Sequence, residues 1–363
     1  MKKVLMIGMT VDVGGIETYI MNLFRQLGKD YTFYFPYVDH IAYEDEIKQA
    51  GGIFLYDLPI SRRNPLTYYQ NWKKAFEKYR FDVVYFNNCD IVSLDILKIA
   101  KKQNVPVRIF HAHNSSNTLQ TDWMHRLEEK HSRRISKTVI TDMLACSKNA
   151  GDYMFGGLPY LEIKNGIDTD KFAFDEAIRK KKRKEFGLSE EQKVILFVGR
   201  FTDIKNPLFA LDVIRDCHQI NPAFAGLICG DGGLAEAVEK KVQEEKLSEY
   251  VQLLGNRADI NKIYSAADFL IMPSLFEGFP FVLVEAECSG LKCICSTNVE
   301  KNTNLVGTVE YFPLEEGSEN WAKKIVETIS DTAHRPLFRE KIVAAGYDME
   351  KTAQQVKTIF ESK

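Results

Sequence analysis

Short, nearly uninterrupted apolar runs recur along the chain, separated by longer stretches in which apolar residues return every three or four positions. In the first half the runs are KVLMIGM, YTFYFPYV, GIFLYDL, DVVYFNN, PVRIFHAH and DMLACS; in the second they are KVILFVGR, FAGLICGDG, VQLLGN, DFLIMPS and KCICST. A strand that is apolar on both sides must be covered on both sides, which is the condition of parallel strands sandwiched between helices. The pattern also restarts, because KVILFVGRFTDIKNPLFALDVI repeats the strand, polar loop and helix of KVLMIGMTVDVGGIETYIMNLF. Two successive doubly wound α/β domains are therefore predicted, and 363 residues suit two cores better than one. The break falls between Ser147 and Lys193, with the turn-rich IKNGIDTDKF as the crossover. We place the first domain at residues 1–165 and the second at residues 166–347.

Composition narrows the class. Basic and acidic side chains nearly cancel, 48 against 50, so no global charge points to nucleic acid. The seven cysteines lack paired metal-ligand spacing and several sit in apolar runs, which reads as buried reduced thiols and a cytoplasmic compartment. MKKVLMIGM reads as a first strand and not as a signal peptide, and no apolar run reaches the ~18 residues of a membrane span. After the crossover, DEAIRKKKRKEFGLS is expected as a helix ending at Gly187. Its basic run from Arg179 to Lys184 is expected as a solvated face, with an anionic-surface patch as the alternative.

In open parallel sheets ligands sit where strands end and loops meet helix N-termini. Four such loops are unusual. In GMTVDVGGIETYI, Gly14 and Gly15 precede a helix that begins near Ile16, which suits close approach of an anion or simply a tight turn; the spacing is not GxGxxG. In VGRFTDIKNP, Arg200 follows a strand and Lys205 stands ahead of Pro207, a pair able to neutralise a diphosphate or to be an ordinary surface pair. RIFHAHNSS ends a strand with His111, His113 and Asn114, residues that hydrogen-bond hydroxyls, take part in proton transfer or, as a pair, bind metal. In PSLFEGFPFVLVEAECSG, Glu277 lies in the loop after a buried strand and Glu285 about one turn inside the next helix. The amides of Phe281 to Val284 can there take a phosphate, and a carboxylate beside them can grip a diol; a cap or an exposed side chain is the alternative for each glutamate.

Taken together, GGIET, ACSKNAGDYMFG, NGIDTDKF, FVGRFTDIKN, ICGDGG, LLGNRADI and AADFLIMPSLFEGFPFVLVEA resemble, in order and spacing, the retaining nucleotide-sugar glycosyltransferases of family four. Within that family HAHNSS is most similar to transferases of capsular and exopolysaccharide assembly. The resemblance implies the glycosyltransferase B fold, two Rossmann-like domains facing across a cleft, with a C-terminal helix near residues 348–362 that packs back on the first domain. It implies that Arg200 and Lys205 hold the donor diphosphate, that Glu285 binds the ribose hydroxyls, and that Glu277 faces the transferred sugar. The backbone of the loop Phe279, Pro280 and Phe281 would contact sugar hydroxyls through the Phe279 and Phe281 amides, and Leu283 and Val284 in the first turn would complete the donor site. Arg257 would lie beside uracil chiefly through its backbone, and Gly15 near the phosphates. The family histidine is His111 or His113, of which His113 is favoured.

The reaction this implies is transfer of a hexose from a UDP-sugar to a glycan or lipid-linked glycan with retention at the anomeric carbon. No cofactor and no metal are expected: Asp168 to Asp170 spell a short acidic metal signature of another transferase fold, but they lie in the crossover, and two cations already supply charge to the phosphates. A sugar-nucleotide epimerase of the same fold and a catalytically silent sugar-nucleotide-binding protein are the alternatives, and the missing glycine fingerprint argues against a nicotinamide enzyme. Acceptor choice is expected from the first-domain loops ISRRNPLTYY and NSSNTLQTDW. Peripheral contact with the inner face of a membrane would use Arg62 and Arg63 and the segment Trp123 to Lys137, where Arg126, Lys130, Arg133, Arg134 and Lys137 accompany Trp123, Met124 and Leu127; the alternative, favoured by Glu128 and Glu129, is a helix packed on its own domain with a solvated charged face.

Overall fold

The computed structural model describes every residue except 38–39, 57, 59–63, 115–122, 329 and 331, together with the side chains of 124–126. Arg62, Arg63, the side chain of Arg126 and most of the loop NSSNTLQTDW lie outside the described residues. Contacts divide the chain into a unit of Met1–Gly166 with Met349–Lys363 and a unit of Ile167–Asp348.

The first unit runs β1 (Lys3–Ile7), α1 (Gly15–Leu27), β2 (Thr32–Pro36), α2 (Glu44–Gln49), β3 (Ile53–Leu55), α3 (Pro65–Tyr79), β4 (Val83–Asn88), α4 (Asp95–Lys102), β5 (Val107–Ala112), α5 (Trp123–Val139), β6 (Asp142–Ala145), α6 (Lys148–Phe155) and β7 (Leu161–Glu162). Its sheet has the order β3-β2-β1-β4-β5-β6-β7 with parallel pairing throughout. The second unit runs α7 (Glu176–Glu185), β8 (Lys193–Val198), α8 (Pro207–Ile220), β9 (Phe224–Cys229), α9 (Ala235–Glu244), β10 (Val251–Gly255), α10 (Ile260–Ala266), β11 (Phe269–Met272), α11 (Phe281–Cys288), β12 (Lys292–Ser296), β13 (Val309–Phe312), α12 (Gly317–Glu327) and α13 (Phe338–Ala344). Its parallel sheet is ordered β10-β9-β8-β11-β12-β13. The last helix, α14 (Met349–Phe360), returns to the first unit, where Phe360 packs edge-on against Tyr31 and Tyr85 and Lys357 pairs with Asp30.

Eleven of these strands coincide with the apolar runs of the sequence. The two that do not, β7 and β13, are edge strands: Leu161 and Glu162 are both exposed, and VEYF buries only its first residue. Edge position alone is not the reason, since the edge strands β3 and β10 do show apolar runs; β7 is only two residues long, and VEYF is interrupted by Glu310. In both sheets the strand order reverses between the first and fourth strands of its unit, β1 beside β4 and β8 beside β11. Loops leaving those strands diverge and open a crevice at the switch point. Two of the four loops singled out by composition, those after β8 and β11, therefore meet at one switch point, and the Gly14–Gly15 loop leaves β1 at the other.

The basic run on α7 is not a solvated face. Arg179, Lys182 and Arg183 are buried, and the two guanidinium groups close on the buried Asp268, Arg179 at 2.7 Å and Arg183 at 3.3 Å. They also cap the end of α10, Arg179 donating to the Ser265, Ala266 and Ala267 carbonyls and Arg183 to the Ala266 carbonyl. A helix C-terminus leaves carbonyls unpaired and carries partial negative charge, so it holds cations that composition alone assigns to water. The exposed residues of the run, Lys180, Lys181 and Lys184, occupy the other positions. Six cysteines are buried as expected, and Cys89 is exposed.

Candidate active site

The β8 exit loop folds back on itself, with the amides of Lys205 and Asn206 both bonded to the Thr202 carbonyl. Asn206 takes a left-handed conformation ahead of Pro207, the first residue of α8, and its side chain donates to the Pro273 carbonyl. The Leu275 amide donates to the Ile204 carbonyl at 2.7 Å, so the loops after β8 and β11 are stitched together. Behind them lies ICGDGG. Gly230 at φ +151° brings its Cα so close to the neighbouring loop that a Cβ would stand 1.9 Å from the Gly199 oxygen, and a Cβ on Gly232 would stand 2.8 Å from the Phe201 oxygen. These two glycines let the β9 loop press against the β8 loop, where Phe201 N donates to Asp231 O and Leu234 N to Phe201 O. Their service is to fix the position of Arg200.

Arg200 is exposed at the tip of this assembly. The stem of Lys205 lies along Gly199, and its ammonium forms an ion pair with Glu277. Sequence reasoning set these two residues to separate tasks; the structure puts them in contact. Glu277 is held by its backbone as well, in a bridge to Val299 with Glu300 N donating to the Glu277 carbonyl at 3.0 Å, and Ser274 Oγ reaches its carboxylate at 3.4 Å.

Helix α11 starts behind Pro280, whose extended backbone makes it the cap residue. Of the four amides expected at its entrance, Leu283 is already bonded to the Pro280 carbonyl at 3.1 Å. Phe281 and Val282 keep first-turn amides with no acceptor among the described residues, while the Leu283 and Val284 side chains are core. Phe279 stacks on Tyr347, ring centroids 5.2 Å apart, which anchors the loop just before the helix. Glu285, partly buried, accepts from the hydroxyl of the buried Tyr264 at 2.8 Å. Burial raises its carboxyl to about 7, against which the Tyr264 hydrogen bond and Lys171 act weakly. Glu287, two residues on, is wholly buried and ties down another loop, accepting from the Leu305 and Val306 amides and the Thr308 hydroxyl. Arg257 is clamped through its side chain, bidentate to Asp259 at 2.8 and 3.0 Å. Arg257, together with Lys182, holds the Asp259 carboxyl down to about 2.

In the first unit, Gly15 opens α1 and is exposed, and the cap position belongs to Gly14. A Cβ on Gly14 would come 2.8 Å from the Glu17 carboxylate, which turns back to accept from Thr10 Oγ1 at 2.6 Å. His111 and His113 point to the same side of β5, ring centroids 4.1 Å apart. His111 is fully buried, its Nδ1 2.9 Å from the Tyr85 hydroxyl, which continues to the Tyr19 hydroxyl at 2.8 Å. His113 stands at the strand end, partly exposed, with Nε2 3.0 Å from Asn87 Oδ1. The Asn87 amide nitrogen donates to the Ile7 carbonyl at 3.0 Å, so the oxygen faces the imidazole. An amide oxygen only accepts; His113 Nε2 therefore carries the hydrogen and Nδ1 is a bare lone pair. That Nδ1 is buried with no partner among the described residues, and desolvation lowers the ring to about 3. His113 is thus a neutral hydrogen-bond acceptor.

Tyr264, Asn87 and Glu287 were missed. Asn87 had a signal, a polar residue closing the apolar run DVVYFNN beside the switch point; Tyr264 lies on a helix remote in sequence from Glu285 and had none. No group of three or more His, Cys, Asp or Glu side chains suited to a metal occurs among the described residues.

Known proteins align with this arrangement along the whole chain. The family model Glycosyltransferase Family 4 matches residues 13–171, and the model Glycosyl transferases group 1 matches residues 178–349. EpsF of Bacillus subtilis (strain 168) is 30% identical over 99% of this chain and 96% of its own length. The Escherichia coli UDP-Gal:alpha-D-GlcNAc-diphosphoundecaprenol alpha-1,3-galactosyltransferase is 28% identical over 79% of this chain and 77% of its own. Among solved structures, Anabaena HepE in complex with UDP superposes with a TM-score of 0.78 at 18% identity, covering 100% of both chains.

Proposed function

The chain belongs to glycosyltransferase family 4, with the glycosyltransferase B fold, and from that premise we propose that it transfers a hexose from a UDP-sugar to a glycan or lipid-linked glycan acceptor in surface polysaccharide synthesis. The observation that carries the reading is the convergence of Arg200, Lys205, the open amides of Phe281 and Val282, and Glu285 at the β8/β11 switch point. Cations and helix amides suit a diphosphate, and a carboxylate one turn away suits a ribose diol. The E. coli relative, named for a UDP-sugar donor and a lipid diphosphate acceptor, supports both halves of the assignment.

In this reading the bond from the anomeric carbon to the diphosphate oxygen breaks, the acceptor oxygen bonds to that carbon on the same face, and the acceptor proton passes to the departing phosphate. Negative charge grows on the diphosphate and meets Arg200, Lys205 and the α11 amides, which together supply the positive charge without a metal. The diphosphate competes with Glu277 for the Lys205 ammonium, and Glu277 then faces the positive charge developing on the sugar ring. The Arg257 backbone lies beside uracil, and the bare Nδ1 of His113 accepts from a substrate hydroxyl. The test is calorimetry with UDP: Arg200→Ala is expected to weaken binding by about 1.5–3 kcal/mol, the worth of a hydrogen bond to a charged group. Unchanged affinity refutes the assignment.

Membrane contact, part of the same proposal, is supported by α5. Among the described residues no helix is long and apolar enough to cross a bilayer. Along α5, however, Trp123 (70% exposed) and Leu127 (55%) lead an outward stripe continued by Lys130, Arg134 and Lys137, the mix of an interfacial helix. Arg133 does not belong to it, since its guanidinium turns in to the Tyr153 carbonyl at 2.9 Å and to Glu129.

A further inference from the structure

A groove of about 290 Å³ lies between α3 and α4, lined by Pro65, Tyr68, Tyr69, Asp95, Lys98 and Lys102, with the buried Ile99 as its floor. None of these residues belongs to the donor site described above, while Pro65, Tyr68 and Tyr69 lie in ISRRNPLTYY, a segment expected to bear on acceptor choice. Resting on the transferase reading, we propose that this groove binds the phosphorylated sugar at the reducing end of the lipid-linked acceptor.

Three features select that ligand. Lys98 and Lys102 are one turn apart on α4, so both ammonium groups project along one wall. Asp95 neutralises Lys98 at 3.2 Å, while Lys102 sits over the Tyr69 ring, 5.1 Å from its centroid, with no acidic partner among the described residues. The groove therefore carries a net positive charge on its lining and attracts an anion. The opposite wall is aromatic. Tyr68 and Tyr69, half-buried, pair an apolar ring face with a hydroxyl, which matches a pyranose with C–H groups on its face and hydroxyls on its rim. Size completes the selection, because 290 Å³ is at the floor of the roughly 300–1,000 Å³ typical of small-molecule sites and accommodates one ring with its phosphate, not a glycan strand. Topology places the groove suitably: α3 and α4 begin beyond the carboxyl ends of β3 and β4, the sheet edge that also carries Gly15 and His113.

The experiment uses the full chain with isoleucine methyl labels and saturating UDP, so that the donor site is occupied. N-acetylglucosamine 1-phosphate is titrated in while the Ile99 methyl signal is followed, with N-acetylglucosamine and inorganic phosphate as parallel arms. The phosphorylated sugar is expected to shift Ile99 with a Kd at least about fivefold below that of either fragment, and the double variant Lys98→Gln/Lys102→Gln to raise that Kd at least about fivefold. UDP affinity and melting temperature of the variant report whether it is folded. An unmoved Ile99 signal, equal binding of inorganic phosphate alone, or a folded double variant that binds as the wild type each overturns the groove assignment while leaving the transferase reading intact. Failure of the wild-type protein to bind UDP overturns that reading and the groove assignment with it.

Discussion

Glu285 gives the donor site a pH dependence that can be calculated. Its carboxyl is raised from 4.5 to about 7, chiefly by burial, a shift on the order of 3 kcal/mol in favour of the protonated form. If two ribose hydroxyls donate to this group, the carboxylate is the binding form. With a pKa of about 7, roughly a tenth of the protein holds the carboxylate at about pH 6 and roughly nine tenths at about pH 8. Affinity for a UDP-sugar should therefore tighten about tenfold across that interval. The intact sugar nucleotide is the right probe, because its diphosphate diester keeps a constant charge there, and His113, lowered to about 3, stays neutral. Calorimetry of wild type and Glu285→Gln at both pH values is the assay. The variant should bind more weakly and with a flat profile. Linkage adds a control of opposite sign: the folded protein holds this proton more tightly than the unfolded chain, so the contribution to stability is full below about pH 4.5 and is lost as pH rises through about 7. Glu285→Gln should remove its part of that loss, leaving the part from Glu287, also raised to about 7. A wild-type affinity that is flat or falls with pH refutes the ribose assignment.

Glu277→Gln should leave UDP affinity equal or slightly higher, since it frees the Lys205 ammonium, and lower turnover on the order of 100-fold; steady-state kinetics beside calorimetry separate the two effects. Gly230→Ala places a methyl 1.9 Å from the Gly199 oxygen at φ +151°, so it should cost more than about 3 kcal/mol and lower the melting temperature by about 6–12 °C, read by thermal denaturation. Co-sedimentation should show binding to anionic and not to neutral vesicles, reduced by Lys130→Glu with Arg134→Glu, because both side chains face outward on α5; binding unaffected by these changes would dismiss the stripe.

The two-unit α/β architecture was legible because buried parallel strands must be apolar on both sides, and eleven runs declared themselves in that way. Strands β7, two exposed residues, and β13, interrupted by Glu310, left no such trace, whereas the other two edge strands, β3 and β10, did. Candidate site positions were legible where an unusual residue closes an apolar run, as Arg200, His113 and Glu277 do. Pairings across the sequence were not. Lys205 and Glu277 meet because two loops leave adjacent strands at a switch point, and the α7 arginines sink because α10 ends beside Asp268. Both depend on which strands become neighbours, information spread over the whole chain and not held in any local pattern. The tautomer of His113 likewise needed the Ile7 carbonyl to orient Asn87.

The central claim is that this chain moves a sugar. Purified protein incubated with UDP-hexoses should release UDP and form a longer glycan when a diphosphate-linked N-acetylglucosamine lipid acceptor is present, with an anomeric configuration at the new linkage equal to that of the donor. UDP-sugar interconverted without acceptor, or bound with neither UDP release nor product for any acceptor, would contradict it.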